Sequence, residues 1–374
     1  MAVCIFLKER IAKNYRLWSE LCRASGVQLN LVTKFCLCNP ELIHFFCTSE
    51  DLHPAAISDS NMEDFARLSP EDARRLAKCV IKTRVSDIEN IPSLPDFARP
   101  DRLWVSDEEQ LQAVARLPQE VRPELVLIAE TGDLKDGILL EDIPRIAEKW
   151  HSLPIIGVSV NFSCLSGILP DIETVKKLSS LAAFIQHLRG LPRPFLSVGG
   201  TVVYGLLSSG ALKGLVQEVR CGEGIFFGYD SSGGQPLPGF ERDTIILEGE
   251  VVELAEKDSA IQQGRTAGFS AVGSAADSAE GDAFRGVRRR AVLDFGVLVA
   301  RAEDLRPLDA GVSLRGQTFD FTVADVTNCR KLYETGGTVA FATNYASASF
   351  ALMNRYVRRR IEEEDTYFGK KTSC

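Results

Sequence analysis

The stretch LNLVTKFCLCNPELIHFF, residues 29–46, decides how the chain is read. An apolar run ends on a lone lysine, Lys34, and runs straight into a helix start through a turn that holds Lys34 and Asn39. Strand, turn and helix in close succession form the repeating unit of an α/β fold. The lysine at the strand tip is either a solvated end or a nucleophile held at the mouth of the fold, and both readings stand here.

Outward from this stretch the pattern repeats. VQLNLVTK, ending at Lys34, is followed by HPAAISDS ending at Ser60, CVIKTRV at Val85, DRLWVSD at Asp107 and ELVLIAE at Glu130. IIGVSVNF ending at Phe162, PFLSVGG at Gly200 and EVRCGEGIFFG at Gly228 complete the set. Helical patterns lie between them, among them SPEDARRLAKC, which Ser69 can cap, and DIETVKKLSSLAAFIQHLRG, which stops on a glycine. Eight strands alternating with helices predict a parallel (β/α)8 TIM-like barrel over residues 11–232. A doubly wound open sheet would more often carry a glycine-rich turn after its first strand.

Past residue 232 the rhythm changes. DTIILEGEVVELAEK, RRRAVLDFGVLVA, GVSLRGQTFDFTVADV and GGTVAFATNYASA are strand-like, with a helical pattern only at SFALMNRYVRRRIEEE. These predict a second, mainly β C-terminal domain over residues 233–374, joined by residues 1–10. Residues 262–286, rich in small and polar side chains, read as a flexible insert without chemistry.

The 374 residues are 45% hydrophobic and 25% charged, a globular profile. The net charge of -8 disfavours a general nucleic-acid binder, and the RGVRRRAV and NRYVRRRIEEEDTYFGKK blocks read as solvated faces. No apolar run is long enough to span a bilayer and the opening is too short for a signal peptide, so a cytoplasmic location is the expectation. The ten cysteines and four histidines show no metal-ligand spacing, which points to reduced, mostly buried thiols.

In such a barrel the functional groups sit on the loops after the strands, and phosphates at the loops after the seventh and eighth. Those loops are SVGGTVV and RCGEG. Gly199 and Gly200 let backbone amides approach an anion, and Thr201 adds a hydroxyl at a helix start; a tight turn would use the same triplet. Arg220, within the eighth strand, needs an acceptor in the barrel mouth. A structural salt bridge to Asp59, Asp107 or Glu130 explains it equally well. A lysine at the first strand, an anion site after the seventh and eighth and an arginine between them suggest pyridoxal 5'-phosphate, although a Schiff-base aldolase would use similar parts.

The segments LVTKFCLCN, SDSN, ETGDLKDG, IGVSVNFSC, SVGGT, RCGEGIFFG, LRPLD and FATNYASASF, in this order, resemble the fold-type III pyridoxal phosphate enzymes related to alanine racemase, and within them the ornithine racemase group. The resemblance implies that Lys34 carries the cofactor as an aldimine. It also implies that Asn161 lies against the cofactor ring, with Lys135 near its phenolic oxygen. Thr201, Gly222 and Tyr345 match phosphate ligands, and Arg220 matches the arginine facing the pyridine nitrogen. An arginine keeps its proton, so the resemblance further implies a ring nitrogen that stays unprotonated and a preference for racemisation over transamination.

Three departures from the family pattern stand out. Val297 occupies the place of the tyrosine that serves alanine racemases as second base, Asp320-Phe321 replaces an Asp-His pair, and Gly200 and Val202 stand where polar residues are usual. Racemisation needs proton transfer on both faces of the α-carbon. Lys34 serves one; Asp320, Tyr345 or Cys329 from a neighbouring subunit are candidates for the other. The family also implies a head-to-tail homodimer, with GVLVA and FATNYASASF at the interface, acting on a free amino acid. The expected function is thus an amino-acid racemase. The alternatives are a catalytically silent cofactor-binding or regulatory protein, and a lyase acting on β-hydroxy amino acids.

Overall fold

Eight short parallel strands close into a ring: Gln28–Val32, Ala56–Asp59, Ala77–Val80, Arg102–Val105, Glu124–Glu130, Ile155–Asn161, Leu196–Gly199 and Glu218–Cys221. The eighth pairs with the first, Arg220 opposite Asn30 and Cys221 opposite Leu31, which leaves no free edge. The computed structural model describes residues 1–230, 234–258 and 286–372. It divides into two units, Ala12–Arg242, which holds the barrel, and Met1–Ile11 with Asp243–Cys374.

Side chains alternate between lumen and outside along each strand. The outward positions, such as Leu103, Val105, Leu125, Leu127, Val158 and Val198, are buried under the surrounding helices. Part of the lumen is apolar, with Ala56, Cys79, Trp104, Val126 and Ile128 packed as one cluster. The remainder is polar, and its groups are paired, as burial demands. Ser58 donates to Asn30 Oδ1 (2.8 Å) and Trp104 Nε1 donates to Ser159 Oγ (2.7 Å).

The second unit is a β-sheet structure. Val3–Leu7 pairs antiparallel with Ile245–Asp258 and parallel with Arg358–Glu362. Ile245–Asp258 also carries Val287–Leu293 on one side and Thr338–Thr343 on the other. Ser313–Gln317 and Thr322–Asp325 form a hairpin beyond Val287–Leu293. Val3, Ile5, Leu7, Ile246, Ala340 and Tyr367 form one core cluster.

The eight-strand barrel with a β domain agrees with the expectation from sequence, but several local readings change. Only Pro70–Arg74 of SPEDARRLAKC is helical, capped by Ser69 Oγ, and Ala77–Val80 is already strand. The eighth strand stops at Cys221, and Glu223–Phe227 turns into a helix. The segment SFALMNRYVRRRIEEE starts inside the helix Tyr345–Met353 and goes on into the strand Arg358–Glu362, because the latter finds Val3–Leu7 as a partner. The insert at 262–286 lies, apart from Gly286, outside the described residues. No helix among the described residues is long and apolar enough to cross a membrane.

Candidate active site

Lys34 opens a single 3-10 turn, Lys34–Cys36, directly after the first barrel strand. Its backbone is fixed on both sides. Thr33 Oγ1 donates to Asp59 Oδ2 (2.8 Å) at the end of the second strand. On the other side the buried Phe35 ring packs on Phe226 (4.6 Å) and Phe227 (5.5 Å) from the helix after the eighth strand. Leu37 and Cys38 then both take left-handed conformations (φ 53° and 47°), which aims the chain into the helix Pro40–Thr48 capped by Asn39. The half-buried Lys34 ammonium has neither hydrogen bond nor ion pair among the described residues.

Arg220 stands one strand away and is 2% exposed. Its Nη1 donates to Ser197 Oγ (2.5 Å), and its Nη2 donates to Val160 O (2.9 Å) and Asn161 Oδ1 (2.7 Å). The guanidinium also lies over the Trp104 ring at 5.4 Å. Burial lowers its pKa to about 10, so it remains charged at neutral pH. The expected ion pair with Asp59, Asp107 or Glu130 does not form; neutral oxygens take its protons instead. Asp59 is occupied by Thr33, Ser60 and Asn61, and Glu130 by the amides of Gly132 and Leu134.

The loops after the seventh and eighth strands interlock. Thr201 Oγ1 accepts from the Gly224 amide at 3.1 Å. A Cβ at Gly200 (φ 104°) would meet Phe162 O at 2.8 Å, and one at Gly222 would meet Val32 O at 2.9 Å. A Cβ at Gly224 would meet Thr201 Cγ2 at 2.7 Å and Trp18 Nε1 at 2.8 Å. That Trp18 Nε1 is buried and has no hydrogen-bond acceptor among the described residues. Glu223, between the two glycines, has its pKa raised by burial, while the Tyr229 hydroxyl and the charge of Lys34 oppose the rise.

No family model matches the chain. A lysine racemase of Thermotoga maritima is 25% identical over 363 residues, 96% of this chain and 97% of that protein. An ornithine racemase of Acetoanaerobium sticklandii is 22% identical over 94% of this chain and 97% of its own. Among solved structures, alanine racemase from Bartonella henselae, described with covalently bound pyridoxal phosphate, superposes with a TM-score of 0.67. That match is 14% identical and covers 96% of this chain and 99% of the other. These similarities support the fold-type III racemase family and show its fold.

The residues present fit the cofactor of the fold-type III family. A guanidinium has five N–H groups. Arg220 uses three of them on protein acceptors, leaving two to face a ring nitrogen. Trp18 supplies an orphaned donor behind the glycine loops, which keep their backbone free of side chains at the points of closest approach. Asn161 turns its Oδ1 to Arg220, so its amide N–H groups remain for another acceptor.

The other residues named by the family pattern lie on further loops and in the β unit. Lys135 is exposed on the loop after the fifth strand and pairs with Asp136 at 2.8 Å. That loop is tied to the one after the sixth strand by Asp133, whose Oδ1 accepts from the amides of Cys164 (2.9 Å) and Leu165 (3.0 Å). Tyr345 belongs to the β unit, where it is the first residue of Tyr345–Met353. Asp320 is an exposed turn residue there, its amide donating to Thr318 Oγ1 (3.3 Å). Val297 faces that same turn, its N–H on Thr318 O at 3.0 Å. Cys329 is half-buried, and burial raises its pKa.

Sequence reasoning passed over Ser197 and Glu218. Ser197 donates to Glu218 Oε1 at 2.6 Å while accepting from Arg220. The signal was present: Glu218 lies two residues before Arg220, and a strand places such residues on one face.

Proposed function

We propose that the protein is a pyridoxal phosphate-dependent amino-acid racemase in which Lys34 bonds the cofactor and moves a proton at the substrate α-carbon. The observation that carries this reading is the half-buried, unpartnered ammonium of Lys34 one strand from Arg220, with its two unspent donors. The relatives named as racemases and the covalent cofactor of the Bartonella enzyme support it.

The cofactor, when bound, supplies an electron sink that acidifies the α-proton of an attached amino acid. Arg220 would donate to the ring nitrogen while keeping its own proton, which would limit that sink and favour return of the proton to the same carbon. On the family pattern, Asn161 would orient the ring, Gly199, Gly200, Thr201, Gly222 and Tyr345 would hold the phosphate, and Lys135 would exchange Asp136 for the phenolic oxygen. Lys34 takes or returns the proton on one face. On the other face we assign the role to Asp320 of a second copy of the chain. Exposed Leu298, Phe319 and Phe321 surround the Asp320 turn, as a head-to-tail homodimer requires.

A second reading, cofactor binding without turnover, is favoured by Val297 and Phe321, neither of which can move a proton. The deciding experiment is incubation with pyridoxal phosphate, borohydride reduction and peptide mapping, followed by α-proton exchange of free amino acids in heavy water. An adduct on Lys34 with exchange and racemisation supports the enzyme. An adduct without exchange supports the carrier, and an adduct that survives Lys34→Ala removes both.

A further inference from the structure

Arg220 lies deep in the barrel with no carboxylate touching it, yet it must stay charged and keep one orientation. The lumen below it contains a continuous polar path. Ser197 Oγ accepts from Arg220 Nη1 (2.5 Å) and spends its own proton on Glu218 Oε1 (2.6 Å). Glu218 is fully buried, and its Oε2 accepts from Arg102 Nη1 at 3.4 Å. Arg102 Nε in turn donates to Glu124 Oε2 at 3.0 Å, and Glu124 is half exposed at the opposite end of the barrel. Arg102 also lies over Phe195 at 5.1 Å.

The direction of these bonds matters. A hydroxyl has one proton, and a buried carboxylate is the stronger acceptor. With that proton fixed on Glu218, the lone pairs of Ser197 face Arg220. The path therefore passes the negative charge of Glu218 to the guanidinium without an ion pair in the mouth, where a carboxylate would occupy the donors needed for a ligand. The other charged or titratable groups acting on Arg220 are Cys79, Cys164 and Asp136.

We propose that Glu218 is a positioning residue for Arg220: acting through Ser197, it supplies the guanidinium's counter-charge and fixes its direction at the barrel mouth. This rests on the reading above only in giving Arg220 a cofactor to face. The relay itself is a property of the barrel without ligand, and its test uses the cofactor-free protein.

The test is side-chain N–H exchange of arginines labelled with 15N. The Arg220 signal is assigned by its loss in Arg220→Lys. Arg189, whose Nη2 donates to the carbonyls of Ala147 (3.2 Å) and Trp150 (3.0 Å), serves as internal control. Glu218→Gln keeps an acceptor for Ser197 and removes the charge; Ser197→Ala cuts the path and leaves Glu218 beside Arg102. Both should speed Arg220 Nη exchange about tenfold or more, with Arg189 unchanged. Exchange in Glu218→Gln at the parent rate overturns the proposal, as does equal acceleration of Arg189. Should Glu218→Gln not fold, an unchanged Arg220 rate in Ser197→Ala overturns it alone. Failure of the protein to take up pyridoxal phosphate would remove the racemase reading and leave this measurement intact.

Discussion

Gly199 lies opposite Arg220 in the register of the seventh and eighth barrel strands, and the space a Cβ would fill at Gly199 is taken by the Arg220 guanidinium and the Asn161 amide. Gly199→Ala is therefore expected to push both side chains out of place. Overpacking of this kind costs about 1–3 kcal/mol. Urea unfolding should show that loss, and pyridoxal phosphate uptake followed by absorbance should weaken at least as much as stability does. Uptake at parental strength would mean that Arg220 does not face the cofactor.

Thr33 Oγ1 ties the Lys34 turn to the second barrel strand, at 2.8 Å from Asp59 Oδ2 and 3.2 Å from Ser58 O. Thr33→Val keeps the shape and removes the hydroxyl, leaving Asp59 Oδ2 without its donor. A loss of about 1–3 kcal/mol is expected. Borohydride-trapped adduct at Lys34 should form more slowly, because on that side the turn then keeps only the backbone bond from Thr33 N–H to Ser58 O (2.8 Å). An unchanged trapping rate would show that Phe35 suffices as the anchor.

Burial raises the Asp59 carboxyl from the usual 3.8 to about 6. The folded chain thus keeps a proton over a range in which the unfolded chain has released it. The resulting stabilisation is fully present below about pH 4 and is lost as the pH rises through about 6. At about 1.4 kcal/mol per pH unit it is on the order of 3 kcal/mol. Asp59→Asn should flatten this part of the profile, so the difference between parent and variant in urea unfolding should change from pH 4 to pH 7. A constant difference would show that Asp59 ionises normally in the fold.

Leu298, Phe319 and Phe321 project into solvent around the Asp320 turn, 59%, 48% and 45% exposed. If this face binds a second copy, Leu298→Asp should weaken self-association about tenfold or more. Sedimentation velocity across a concentration series reads this directly. A parent protein that is monomeric at every concentration would remove both the dimer and the role assigned to Asp320.

The barrel was legible because local and tertiary signals agree along it. Short β-rich runs end at Lys34, Ser60, Asp107, Glu130, Phe162 and Gly200, and Ser69 and Gly190 punctuate helices as their chemistry directs. Where a distant partner decides, the local signal misled. Arg358–Glu362 has the composition of a helix face and becomes a strand only because Val3–Leu7 lies beside it. At the site, Lys34 and Arg220 stood out as charges in apolar runs. The acceptors of Arg220 did not, since Val160 O is backbone, and Ser197 and Asn161 come from two other strands. A carboxylate partner was the natural expectation for a buried arginine, and the lumen met the need through a serine.

The pairing of Val3–Leu7 with Arg358–Glu362 bears on how the chain is made. During synthesis Val3–Leu7 must wait, one edge uncovered, until Arg358–Glu362 has left the ribosome. The barrel can close as soon as Glu218–Cys221 is available, well before that. Maturation is therefore staged, with the barrel first and the sheet of the second unit last, and a message cut short would yield a closed barrel beside an open β edge prone to aggregation.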